Sequence, residues 1–200
     1  MTIKMRNFEI ARNVEALKQD IEKPAFNEAQ IPEYQTEQSA GADFFCAEEV
    51  VIPSIWKYLL RIFKTYLELK LFPTNSNIVN DIEEVDKISK HFSPTIVHTG
   101  IKACMERDEV LELYNRSSNP KKLGLILANS VGVVDADYYN NKDNDGEIMF
   151  AFYNVKPWDI KIKVGERIGQ GVFKKYLRPT GDGLRIKNQA RKGGFGSTNE

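Results

Sequence analysis

Val110-Leu-Glu-Leu-Tyr114, Gly124-Leu-Ile-Leu-Ala128, Glu147-Ile-Met-Phe-Ala-Phe-Tyr153 and Asp159-Ile-Lys-Ile-Lys-Val164 follow one another along the chain, each β-rich or alternating, with Asn, Gly, Pro and Asp between them. Branched and aromatic side chains suit the half-buried surface of a strand, and the residues between suit turns, so this run predicts an all-β sandwich or barrel. The segment from Ile55 to Phe92 interrupts it. Trp56, Leu60, Phe63 and Leu67 fall on one stripe, with Lys57, Arg61, Lys64 and Glu68 on the opposite one, which is the spacing of an amphipathic helix. Pro73 ends that helix, because proline lacks the N–H that the next turn needs. After a capping stretch, Thr74-Asn-Ser-Asn77, the residues Ile78, Ile82, Val85, Ser89 and Phe92 continue at helical spacing. The expectation is a helical hairpin, residues 55–92, inserted into a β domain. In the first forty residues, Asn13 to Lys23 reads as a short helix stopped by Pro24, and Ile31-Pro-Glu-Tyr34 as extended chain.

With 200 residues, 42% of them hydrophobic, the chain can bury a real core without staples. A formal net charge of zero, with scattered basic residues, argues against a broad surface for duplex nucleic acid or anionic membrane, and leaves room for a small, locally bound anion. Cys46 and Cys104 lack metal-ligand spacing and are too few for a disulfide framework, so both are expected as reduced, buried thiols. The opening Met1-Thr-Ile-Lys-Met-Arg6 is charged and leads into no apolar signal region, and no uncharged span reaches membrane length; a cytoplasmic protein is expected. The two histidines, His91 and His98, stand near no cysteine or acid pair, which disfavours a histidine-based metal or nucleophile mechanism.

Chemistry concentrates elsewhere. The last ten residues, Arg191-Lys-Gly-Gly-Phe-Gly-Ser-Thr-Asn-Glu200, combine glycines that can turn backbone N–H groups inward with cationic and hydroxyl donors suited to phosphate oxygens, and with one aromatic face. Their polarity predicts an arm without order of its own before an anion arrives. Four further clusters accompany the arm: Ala40-Gly-Ala-Asp43, Asn115-Arg-Ser-Ser118, Gly132-Val-Val-Asp-Ala-Asp-Tyr138 and Gly165-Glu-Arg-Ile-Gly-Gln170. Each alone reads as a turn or surface loop.

In this order and spacing the five clusters resemble the motifs of the trimeric dUTPase family, deoxyuridine triphosphate nucleotidohydrolases, over about Ile31 to Thr198 without the insert. The stretch from Tyr138 to Glu147 is similar to variants from Gram-positive bacteria and their phages. The resemblance implies a β-barrel or jelly roll over residues 1–190, with the helical insert at 55–92, and a flexible arm, 191–200, that closes over the active site. It implies a homotrimer with sites shared between chains, acting on dUTP with Mg²⁺ and binding neither nucleic acid nor membrane. Cleavage between the α and β phosphorus atoms needs an attacking water, a group to orient it, and positive charge to hold the developing negative charge. By resemblance, Asp135 activates that water, Gln170 helps hold it, and Asp43 holds waters of a Mg²⁺ chelated by the triphosphate. Ser117 and Ser118 match phosphate donors, and Arg116 a brace near the catalytic acid. Asn129, Gly132, Val133 and the backbone around them match the uracil pocket, and Tyr138 the wall against which deoxyribose packs. Phe195 matches the residue that stacks on uracil, and Arg191, Gly196, Ser197 and Thr198 those that reach the β and γ phosphates. Arg191 stands one residue nearer Phe195 than in many members, so Lys192 shares the candidacy for the γ-phosphate. Asp137 and Arg167 read as structural neighbours.

Two alternatives differ in chemistry. A dCTP deaminase relative would need a catalytic glutamate in the strand after the third motif, and Ile148-Met-Phe-Ala-Phe-Tyr153 has none. A regulatory or docking protein would bind a partner through the insert, using Trp56, Phe63 and Tyr66 as anchors, unless that stripe packs on the second helix or on the β body.

Overall fold

The computed structural model describes residues 6–71 and 92–181. The second helix expected within 78–92 and the arm 191–200, with Arg191, Lys192, Phe195, Gly196, Ser197 and Thr198, therefore lie outside the described residues, apart from Phe92.

Ten strands run through the described residues: β1 (Asn7–Ile10), β2 (Ala42–Phe45), β3 (Val50–Ile52), β4 (Thr95–Cys104), β5 (Glu109–Asn115), β6 (Leu125–Leu127), β7 (Gly132–Asp135), β8 (Ile148–Asn154), β9 (Ile160–Ile162) and β10 (Arg167–Lys175). They form two four-stranded antiparallel sheets, ordered β1-β4-β8-β6 and β2-β10-β5-β7, and a small β3-β9 ribbon. The mainly β architecture expected from the turn-bounded strands, and the jelly roll that the resemblance implies, are what is observed. Alternation decides which face is which: in β7, Gly132 and Val134 are buried while Val133 and Asp135 point out.

The core lies between the sheets. Phe44, Leu111, Leu113 and Ile168 from one sheet pack against Val97, Ile101, Phe150 and Phe152 from the other, and the Phe44 and Phe150 rings approach to 5.6 Å. Gly169 is demanded by this packing, because a β-carbon there would stand 2.1 Å from Phe150 Cε1.

Two helices are present among the described residues. The first, α1 (Val14–Lys18), is capped by Asn13, whose Oδ1 accepts from the Glu15 and Ala16 N–H groups, and is shorter than the Asn13 to Lys23 stretch suggested. The second, α2 (Ile55–Leu71), occupies the first part of the insert. Of the two packings expected for its stripe, that on the β body is not made by Trp56, Leu60 and Phe63, and that on the second helix lies outside the described residues. Tyr58 is buried against Phe92 and Tyr153, whereas Trp56, Leu60 and Phe63 are 55%, 64% and 58% exposed. The cysteines also differ from expectation, since Cys46 is buried but Cys104 only partly so; both are free.

Candidate active site

Asp43 and Gln170 face each other across the β2/β10 pair, and Gln170 Nε2 donates to Asp43 Oδ1 at 3.0 Å. Arg167 NH1 donates to Asp43 Oδ2 at 3.2 Å and to Gln35 Oε1 at 3.0 Å. Asp43 thus lies on the sheet's outer side, opposite Phe44, yet is only 2% exposed because these partners cover it. Arg167, which the sequence suggested as structural, is the charge partner of the first-motif carboxylate.

The Arg-Ser-Ser turn follows β5 directly. Arg116 NH1 donates to the Arg167 carbonyl at 3.2 Å, which holds the turn against β10. Ser117 is exposed and Ser118 partly so, leaving hydroxyls at the surface beside the Asp43 cluster. Asn119, buried immediately afterwards, opens a turn of π-helix (Asn119–Leu123), and its Nδ2 donates to Asn115 Oδ1 and to the Ile168 carbonyl, both at 2.8 Å. Asn119 escaped the motif comparison. Its only sequence signal is its place directly after the two serines.

The candidate base pocket lies where the chain crosses from β6 in one sheet to β7 in the other. The turn closes tightly: Ser130 N–H donates to the Leu127 carbonyl at 3.1 Å, Val131 N–H to the Asn129 carbonyl at 2.6 Å, and Ser130 holds a φ of 59°. A β-carbon at Gly132 would meet Leu113 Cβ at 3.0 Å and Asn129 Nδ2 at 3.4 Å, so any larger residue would press these neighbours aside. Asn129 and Val133 are exposed. Tyr138 is 6% exposed: its hydroxyl donates to the Glu147 carbonyl at 2.9 Å and accepts from Asn144 Nδ2 at 2.8 Å. The stretch after it is pinned from below. Asp145, fully buried, accepts from Lys102 Nζ at 2.8 Å and from the Arg12 backbone and side chain. Burial would raise this carboxyl, but the Lys102 and Arg12 bonds hold it below its usual range.

Asp135 does not join the Asp43 cluster within one chain. It pairs with Val110 near the start of β5, whereas Gln170 pairs with Tyr114 near the end, on the strand's other side. Four residues along a strand and two strand spacings across a sheet amount to roughly 13 Å by 10 Å. Arg116 likewise lies at the opposite end of β5 from Asp135, so its recorded brace is β10.

The donor chemistry at Asp43 fits a hydrated cation better than a stripped one. Both carboxylate oxygens already accept protein hydrogen bonds and their cation partner Arg167 balances the charge, while each oxygen keeps a lone pair that can accept from a metal-bound water. Among the described residues no three His, Cys, Asp or Glu side chains gather into a metal cage.

Known proteins similar to this chain share one family. The dUTPase family model matches residues 83–199. The deoxyuridine 5'-triphosphate nucleotidohydrolase of Lactococcus lactis is 48% identical over 121 residues, covering 59% of this chain and 79% of its own. The crystal structure of dUTPase from Streptococcus mutans, 31% identical, superposes with a TM-score of 0.59 over 88% of this chain and 99% of that one. A mutant dUTPase of phage phi11 of S. aureus, solved with a structural Mg(II) ion, has a TM-score of 0.53 over 88% and 93% of the two chains; at 14% identity that likeness concerns the fold alone. On the family match, the identity to these relatives and the fold, the chain belongs to the dUTPase family.

Proposed function

We propose that this dUTPase hydrolyses dUTP to dUMP and pyrophosphate by attack of water on the α-phosphorus, which limits uracil incorporation into DNA and supplies dUMP for thymidylate synthesis. The observation that carries the assignment of residues is the bond from Gln170 Nε2 to Asp43 Oδ1, which joins side chains 127 positions apart in sequence beside the exposed hydroxyls of the Arg-Ser-Ser turn. Asp135, exposed on the outer face of β7, acts as the general base toward the water, and Gln170 helps hold that water with the amide atoms not bonded to Asp43. Ser117 and Ser118 donate to phosphate oxygens, and Arg116 holds their turn in place. The Asn129 to Val133 backbone reads uracil, and its tight closure excludes the 5-methyl of thymine. The Tyr138 ring, locked by its hydroxyl bonds, is a rigid wall where a 2′-hydroxyl would collide.

Mg²⁺ would be held by the triphosphate, with Asp43 accepting from its waters, and would supply counter-charge for the developing anion. The arm, with Arg191 or Lys192, Phe195, Gly196, Ser197 and Thr198, closes over the nucleotide. Since Asp135 and Gln170 stand far apart in one chain, the complete site draws on more than one copy, in keeping with a homotrimer. Free Cys46 and Cys104 suit a reducing cytoplasm, and among the described residues no helix is long and apolar enough to cross a membrane. The first test is pyrophosphate release with Mg²⁺ from dUTP, dTTP, dCTP and UTP, alongside Asp135→Asn. The expected outcome is strong preference for dUTP, with turnover lost and nucleotide binding retained in Asp135→Asn. Near-normal turnover in that variant would remove Asp135 as the base.

A second role rests on α2, whose Trp56, Leu60 and Phe63 present an apolar stripe of the kind protein partners cover. Docking there would coexist with hydrolysis. In a Trp158→Phe background, Trp56 should emit as an exposed tryptophan and shift to the blue when a partner binds. An emission already blue-shifted in the isolated protein would assign the stripe to internal packing.

A further inference from the structure

The serine turn hangs from two adjacent carbonyls of β10. Arg116 takes the Arg167 carbonyl and Asn119 takes the Ile168 carbonyl. Both lie at an irregularity of the strand: the register against β2 slips between Arg167 and Gly169, and pairing with β5 begins only at Gly169, opposite Asn115. Side chains replace the ladder there. The second Asn119 Nδ2 hydrogen goes to Asn115 Oδ1, and Asn115 Nδ2 passes on to the Leu125 carbonyl at 2.8 Å. A relay of amides therefore ties β6, the end of β5, the serine turn and β10 together. Both Nδ2 partners are oxygens without a hydrogen to give, so the orientation of the Asn119 amide is fixed by its surroundings.

That orientation leaves Asn119 Oδ1 buried without a hydrogen-bond partner. An unsatisfied buried acceptor destabilises a fold. Here the cost sits on the residue next to Ser118, on a bond ending two residues before Gln170. We infer that Asn119 is a positioning residue for the proposed reaction: its amide sets the Ser117 and Ser118 hydroxyls in register with Gln170 and Asp43, so that phosphate and water meet in line. It touches no reacting atom and acts through the turn. The inference rests on the assignment of Ser117 and Ser118 as phosphate donors.

The test uses the full chain as Asn119→Asp, which keeps the volume and removes both donated hydrogens, and Asn119→Leu, each alone and combined with Ser118→Ala. Melting temperature, kcat and KM for dUTP with Mg²⁺, and the affinity for α,β-imido-dUTP are measured together, well below the melting transition. The expected result is a fall in kcat of about tenfold or more, as misplacement of a positioning group gives, with analogue affinity down roughly fivefold or more. Adding Ser118→Ala should cost little beyond the worse single change, because both act through the same contacts. Rates and affinities within about twofold of the parent, with only the melting temperature lowered, would overturn the inference, as would losses that simply multiply. Should Asn119→Leu fail to fold, Asn119→Asp and Asn115→Ala carry the same test. A parent that binds the analogue without hydrolysing dUTP would remove the proposed reaction and leave analogue affinity to judge Asn119; a parent that does neither removes both.

Discussion

Gly169 is the position where a single atom separates core packing from the amide proposed to hold the attacking water. Its missing side chain admits the Phe150 ring, and the next residue in β10 is Gln170, so a β-carbon must push either the core or the amide out of place. Gly169→Ala is expected to destabilise the fold by about 1–3 kcal/mol, the usual range for overpacking a dense core. It should also lower kcat for dUTP, and a thermal melt with steady-state kinetics on the same sample checks both. A fall in melting temperature with unchanged kcat would mean that the strand absorbs the strain away from Gln170. At this scale the sequence was informative where a residue has a chemical role that its motif displays. Asp43, Arg116, Gln170 and the serines stand out in the sequence as candidates, and the structure joins Gln170 to Asp43 and ties Arg116 to β10. Arg167, Asn115 and Asn119 were not legible as a supporting set: Arg167 meets Asp43 only once β2 and β10 pair, Asn115 reaches a β6 carbonyl, and Asn119 uses a carbonyl at the point where β10 slips its register. No spacing rule encodes that slip.

Elements show a similar division. Alternation along Val110 to Tyr114 and Glu147 to Tyr153 predicted strands, since a face buried between two sheets must be apolar at every second position. The same periodicity found α2 but not the side that meets the body, since Trp56, Leu60 and Phe63 are exposed and Tyr58, off that stripe, is buried against Tyr153. Period alone says that a helix has two faces and leaves open which one is covered. A pH-dependent prediction belongs to the β4/β8 pair. Half-buried His98 has its Nδ1 within 3.1 Å of Glu147 Oε1, and that hydrogen bond raises the imidazole above its ordinary value against the opposing effect of burial; Glu48 adds to the rise. A raised folded-state value means that the contribution is fully present below the unfolded value, about 6.5, and is lost as pH climbs through the folded one. The melting temperature of the parent should therefore exceed that of His98→Gln most at acid pH, with the gap narrowing as pH rises from about 6.5 through the folded value. Melts of both proteins across that range decide it, and a constant gap would assign His98 to packing against Phe26 instead. Because the Glu147 carbonyl accepts the Tyr138 hydroxyl, a loosened β4/β8 pair should also weaken discrimination against UTP.

On the roles proposed for Asp135 and Gln170, one chain alone is an incomplete enzyme, and this follows from strand order rather than from any single contact. With β10 on one side of β5 and β7 on the other, Gln170 and Asp135 sit at different ends of different strands of one sheet. No side-chain rotation spans a gap of roughly 16 Å, since a glutamine and an aspartate together reach only about half of it. Both side chains project from the outer face, where a neighbouring copy can meet them, so an assembly that sets one copy's Asp135 end against another's Gln170 end restores the pair twice or more by symmetry. The test is complementation. Asp135→Asn chains and Gln170→Ala chains are each expected to be inactive or nearly so when assembled alone. Co-expressed and co-purified through two different tags, they form mixed assemblies in which some sites receive an intact Asp135 from one parent and an intact Gln170 from the other. Those assemblies should recover a measurable fraction of parental dUTP turnover, while mixing the same proteins after separate assembly should recover none until subunits exchange. If every mixed assembly stayed as inactive as its parents, Asp135 and Gln170 would have to come from the same chain, and the chain would have to rearrange between β5 and its two neighbours to bring them together.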